Sequence, residues 1–123
     1  MAIAGDLVEV ILYVQDMNRQ VGFYRDVLGL HVKQPQGVQD YGPVFWVELD
    51  TGSCSLALHA GGQGRQGADA PKIVFQVDDV AQARASLADQ GVPMGEIRSP
   101  APGVEVCDGV DPEGNGFSIE SRA

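Results

Sequence analysis

Residues 8–14, Val-Glu-Val-Ile-Leu-Tyr-Val, put Val8, Val10, Leu12 and Val14 on one side of an extended chain and Glu9, Ile11 and Tyr13 on the other. The pattern then changes period. Asp16 is placed to cap a helix, and Met17, Val21, Tyr24 and Leu28 recur at helical spacing up to Gly29. The same passage returns with an offset of 63 residues: Ile73, Phe75 and Val77 oppose Lys72, Val74 and Gln76, Asp79 stands where Asp16 stood, and Val80, Ala83 and Leu87 form a stripe ending at Gly91. Each stripe needs an apolar surface to pack on, and the uniform side of a sheet supplies one.

Strand signals follow both helices. In the first half they are Leu30–Lys33, Val44–Leu49 and Ser53–Ala60, the last two joined by the turn Asp50-Thr51-Gly52. In the second half they are Gly95–Ser99, Val104–Val110 and Gly116–Ser121, with the turn run Asp111-Pro112-Glu113-Gly114-Asn115-Gly116 between the last two. The expectation is an α+β protein of two βαβββ modules, about 6–60 and 71–121, joined by the glycine-rich stretch 61–70. That stretch lacks the spacing of a phosphate-binding loop and reads as linker. Leu56 and Leu58 oppose Ala57 and His59, and Phe117 and Ile119 oppose Ser118 and Glu120, so each sheet has one apolar face and one mixed face.

Composition narrows the function classes. The 123 residues carry 8 basic and 17 acidic side chains, a net charge of −9, with the basic ones scattered. Nucleic acid and anionic membranes both demand clustered Lys and Arg, so neither is expected as a partner. No run reaches the roughly 20 apolar residues of a membrane helix, and Met1–Asp6 lacks the features of a secretory leader, which points to the cytoplasm. Cys54 and Cys107 form no CxxC pair, and no GxSxG, HExxH or dinucleotide fingerprint is present.

Phe23-Tyr24-Arg25-Asp26-Val27-Leu28-Gly29 and Asp111-Pro112-Glu113-Gly114-Asn115 resemble the FYxxxLG helix end and the DPxGN turn of the vicinal oxygen chelate superfamily. That superfamily contains glyoxalase I, extradiol dioxygenases, fosfomycin resistance enzymes and bleomycin resistance proteins. The resemblance implies a curved, mixed but mostly antiparallel sheet around a cavity, helices on its outer face, and a homodimer. It also implies four ligand positions in metal-dependent members, which fall here on Glu9, Ala57, Lys72 and Ser118. Three of these are poor ligands, and a protonated lysine cannot bind a cation. A Lys72 ion pair with Glu9 or Glu120 is one alternative use of that position.

The expected reading is therefore a metal-independent, cofactor-free small-molecule binding protein, closest in character to the bleomycin-resistance branch, sequestering an aromatic or cationic compound. Its candidate ligand-binding residues are Glu9, Tyr13, Trp46, Glu48, His59, Lys72, Gln76, Ser118 and Glu120. Trp46 and Tyr13 offer stacking surfaces, the three glutamates negative charge, and Gln76, Ser118 and His59 hydrogen bonds. The alternative is a metal-dependent lyase, isomerase or dioxygenase holding a divalent ion through Glu9, His59 and Glu120. Those side chains would have to converge within about 2.0–2.2 Å of one ion, although a two-residue slip along a strand moves a side chain by roughly 6–7 Å. A third reading is a dimer whose interface is the function.

Overall fold

The structure, a computed structural model, describes residues 9–61 and 71–122. Val8 and the stretch 62–70 therefore lie outside the described residues. The chain divides into two compact units, Met1–Gly64 and Arg65–Ala123.

In the first unit, β1 (Glu9–Val14) leads into α1 (Met17–Gly22), then β2 (His31–Gln34), β3 (Trp46–Asp50) and β4 (Ser55–Ala60). The sheet order is β1-β4-β3-β2, with β1 parallel to β4 and the other pairs antiparallel. Alternation decides which face is covered. Leu12, Val14, Val47, Leu49, Leu56 and Leu58 are all buried, and α1 packs against β4. Each such side chain contributes about 1.5–3 kcal/mol when fully buried, so this face dominates the unit's stability.

The helix begins where Asp16 accepts from the Arg19 N–H at 3.1 Å. It does not continue as a uniform helix to Leu28, as the spacing predicts. Residues Phe23–Val27 form a π turn, in which the Leu28 N–H reaches back to the Phe23 carbonyl at 3.0 Å. The wider turn keeps Phe23 and Tyr24 both buried, edge to face with centroids 4.9 Å apart. Gly29, at φ 84°, then ends the helix, and the Leu30 N–H closes on the Tyr24 carbonyl at 3.0 Å.

The second unit repeats the order with β5 (Ile73–Gln76), α2 (Val80–Asp89), β6 (Arg98–Ala101), β7 (Val104–Val110) and β8 (Gly116–Arg122). Its sheet runs β5-β8-β7-β6, again with a parallel outer pair, β5 and β8. Asp79 caps α2 through the Gln82 N–H at 3.0 Å, and α2 packs on β7 and β8 over buried Phe117, Ile119 and Cys107. The two βαβββ modules are thus present, each as a four-stranded sheet with its helix on one face.

Some observed strands shift from their predicted places: β2 by one residue, β3 to a start at Trp46 rather than Val44, and β6 furthest, to Arg98–Ala101 rather than Gly95–Ser99. The upstream residues have other partners. Met94 bridges to Gly109, and the Gly95 N–H donates to the Asp108 carbonyl at 2.8 Å.

Candidate functional site

The sheet face away from α1 carries Tyr13 of β1, Trp46 and Glu48 of β3, and Ala57 and His59 of β4. Register explains the grouping: Tyr13, His59 and Trp46 stand side by side on three adjacent strands, and Ile11, Ala57 and Glu48 form the next row. The His59 ring lies 4.8 Å from Tyr13, 5.7 Å from Trp46 and 4.6 Å from Phe45, centroid to centroid. Phe45 is 63% exposed. The predicted strand Val44–Leu49 contains Phe45 but by alternation puts it on the side opposite Trp46; the observed β3 begins only at Trp46, and Phe45, just ahead of it, turns its ring to His59.

Polar contacts orient this group. His59 Nδ1 lies 2.6 Å from the Ala60 carbonyl, which only accepts, so Nδ1 carries a proton, and the tautomer protonated there alone presents Nε2 as an acceptor. Trp46 Nε1 donates to Glu48 Oε1 at 3.0 Å and Gln34 Nε2 donates to the same oxygen at 2.8 Å. These bonds, Trp46 first, hold the Glu48 carboxyl below its ordinary value and so keep it ionised. Both donors sit on Oε1, and among the described residues no hydrogen bond reaches Oε2.

The corresponding face of the second module is built around a residue the sequence reading did not single out, Asp108. It stands opposite Ser118, as Glu48 stands opposite Ala57, so the two acids hold equivalent places in the repeat. Their partners differ. Arg98 Nη1 donates to Asp108 Oδ2 at 2.8 Å, Lys72 Nζ lies 3.0 Å from Oδ1, and Ser118 Oγ donates to Oδ1 at 2.5 Å. Arg98 first, then Ser118, hold the Asp108 carboxyl far below the usual carboxylate range.

A folded-state value below the ordinary 3.8 means that the charged form stabilises the fold at neutral pH, and that this contribution disappears as pH falls through the folded value. Asp108→Asn is accordingly expected to lower Tm by about 2–5 °C at pH 7, modest because the partners are half-exposed. The gap between variant and parent should begin to narrow below about pH 4 in thermal melts and go on narrowing as the pH falls further. A gap that widens with acid contradicts the assignment.

Lys72 thus pairs with Asp108 rather than with Glu120, which is held by Arg122 at 2.7 Å. Gln76 is exposed and in register with Glu120. Glu9 is in register with Ser55, four positions from the Tyr13–His59 pair. That is roughly 13 Å along the strand, which does not bring Glu9 and His59 to one ion. The positions expected to hold a metal in metal-dependent relatives do not fit one either: Ala57 has no donor atom, Lys72 is a paired ammonium, and the Ser118 hydroxyl is engaged by Asp108. Among the described residues no group of three or more His, Cys, Asp or Glu side chains is placed to hold a metal ion. Among them, too, no helix is long and apolar enough to cross a membrane.

The paired modules and the two motifs define a class, and comparison with known proteins supplies it. Residues 6–119 match the model of the Glyoxalase/Bleomycin resistance protein/Dioxygenase superfamily, and the chain belongs to that superfamily. Similar solved structures include a lactoylglutathione lyase from Agrobacterium tumefaciens, with TM-score 0.74 and 22% identity over 98% of this chain and 96% of that one. A genomically encoded fosfomycin resistance protein from Listeria monocytogenes gives TM-score 0.76 and 16% identity over 99% and 96%. An antibiotic-binding protein from a Streptomyces species gives TM-score 0.73 and 21% identity over 100% and 99%. At these identities the likeness is one of fold. No curated protein matches the chain.

Proposed function

We propose that the protein is a metal-independent small-molecule binding protein whose first module takes a flat aromatic compound bearing a positive charge. The observation that carries this reading is the cluster of Tyr13, Phe45, Trp46 and His59 beside an ionised Glu48 whose two hydrogen bonds both go to Oε1. Ring stacking contributes about 0.5–1.5 kcal/mol per pair beyond area burial, and a cation over an aromatic face about 0.5–2 kcal/mol. Glu48 supplies the counter-charge, and His59 Nε2 accepts from an N–H or O–H of the ligand. Fold neighbours whose names record antibiotic binding and fosfomycin resistance support the reading. So does the ill-suited donor set at Ala57, Lys72 and Ser118, which favours binding over metal-assisted catalysis. The protein acts in this reading as a cytoplasmic homodimer, and light scattering should return twice the 13.0 kDa chain mass.

Trp46 is the one tryptophan, so its fluorescence reports on this face directly. Titration with a panel of cationic aromatic antibiotics that includes bleomycin should give saturable quenching for at least one compound. Glu48→Gln should weaken that binding by about tenfold, the scale of one charge-assisted contact, and 0.5 M salt should weaken the parent's binding as well. Quenching by no compound, or equal affinity for parent and Glu48→Gln, overturns the proposal.

A further inference from the structure

The Asp108 cluster contains more positive charge than its acid neutralises. Two cations converge on a single carboxylate: Lys72 from one side and Arg98 from the other. Asp108 uses both oxygens: Oδ1 accepts from Lys72 and Ser118, and Oδ2 from Arg98. The cations do not use all of their N–H groups. Lys72 spends one of its three N–H groups, and Arg98 directs only its terminal nitrogens at Asp108, Nη2 with a long 3.4 Å contact. Neither makes another hydrogen bond or ion pair among the described residues, and both side chains are half-exposed. Glu120, two residues along β8 from Ser118 on the same face, is paired with Arg122.

The surroundings of this excess charge are apolar. Val74 lies in the same row as Ser118 and Asp108 and is 53% exposed. Val110, two residues along β7 on the same face, is also exposed. Beside Asp108 a cavity of about 240 Å³ is lined by Pro93, Met94, Gly95, Asp108, Gly109 and Val110. Asp108, the shared partner of Lys72 and Arg98, lines this largely apolar recess, so spare N–H donors and hydrocarbon meet at one carboxylate, which suits a molecule with an oxyanion at one end and an apolar body at the other.

We propose that this face of the second module binds small organic carboxylates. The carboxylate is held by the N–H groups of Arg98 and Lys72 that Asp108 leaves unused, and the hydrocarbon or aryl body rests against Val110, Met94 and Pro93. Asp108 and Ser118 act as positioning residues: they hold the two cationic heads in place without touching the ligand's charge. A divalent ion is unnecessary here, because ammonium and guanidinium groups already supply the positive charge that oxygen ligands require. The proposal involves different residues and the opposite ligand charge from the first-module site, and either can fail alone.

Benzoate is the probe, titrated into the full chain at constant ionic strength, with backbone amide shifts of Asp108 and Ser118 followed by NMR. The expected result is a saturable shift in the millimolar range or tighter, weakened about tenfold in both Arg98→Met and Lys72→Met. It should be unchanged in Arg19→Met, an exposed cation on α1. Acetate, which lacks the apolar body, should bind about fivefold more weakly than benzoate. Should Arg98→Met lose its dispersed spectrum, Arg98→Lys keeps the charge without the planar fork and should still bind more weakly than the parent. Shifts that rise linearly with concentration, that chloride reproduces, or that persist unchanged in the Lys72 and Arg98 variants overturn the proposal. Trp46 fluorescence should stay constant throughout, so this outcome is read separately from that of the first-module site.

Discussion

Phe117→Ala is expected to destabilise the protein by about 3–5 kcal/mol, a large part of the 5–15 kcal/mol that keeps a typical domain folded. Phe117 is fully buried on the α2 side of the second sheet, 6.4 Å from Phe75 between ring centroids. Its ring fills space that its neighbour in register leaves open. Gly109 sits opposite it on β7, and a Cβ built there comes within 2.7 Å of both Phe117 Cζ and Met94 Sδ. The Met94 end can turn aside; the packed ring cannot. Gly109→Ala should therefore cost about 1–3 kcal/mol by overpacking. Combining it with Phe117→Leu should cost less than the two separate losses, with a coupling of about 0.5–3 kcal/mol. Urea denaturation of the four proteins in this cycle measures the coupling, and strict additivity would show that ring and glycine do not share the space.

The second large effect belongs to the turn between β7 and β8. The Asp111 carboxylate is buried and accepts three hydrogen bonds: from the Glu113 N–H at 2.9 Å, the Asn115 N–H at 2.9 Å and Asn115 Nδ2 at 3.0 Å. Asp111→Ala strips all three donors of their acceptor at once, and each orphaned buried donor costs about 1–3 kcal/mol before water replaces it. A net loss of about 2–4 kcal/mol is expected from the urea midpoint. Asp111→Asn retains one acceptor oxygen for the two backbone donors and should lose less. A loss in Asp111→Ala below 0.5 kcal/mol, the range of an ordinary surface change, would mean that the turn holds its shape without the carboxylate. The turn also fixes hairpin register, because its closure sets Asp108 opposite Ser118.

What could be read from the sequence divides along the range of the interactions. The caps Asp16 and Asp79, the glycines after the helices, the strand faces and the Asp111 turn are all local, and each appears where the pattern places it. The π turn at Phe23–Val27 was not legible, since it comes from accommodating both Phe23 and Tyr24 in the core rather than from any residue signal. The Trp46–Glu48 contact was legible as two residues on one strand face. The Asp108 node was not. Its partners come from positions 72, 98 and 118, and only the pairing of β5, β7 and β8 and the placement of β6 bring them to one carboxylate. In a run reading Val-Glu-Val-Cys-Asp-Gly-Val, Asp108 looks like an ordinary solvated acid. Its counterpart in the repeat, Glu48, was the available signal.

The placement of Trp46 has a consequence for cooperativity. A lone tryptophan on β3 makes fluorescence a reporter of the first module's unfolding, whereas far-ultraviolet circular dichroism averages the helices and strands of both. Melting curves from the two probes superimpose only if the halves of the duplicated chain unfold as one cooperative unit. Separated curves would mean that each half of the duplication has kept its own folding transition, with the tryptophan marking which half unfolds first.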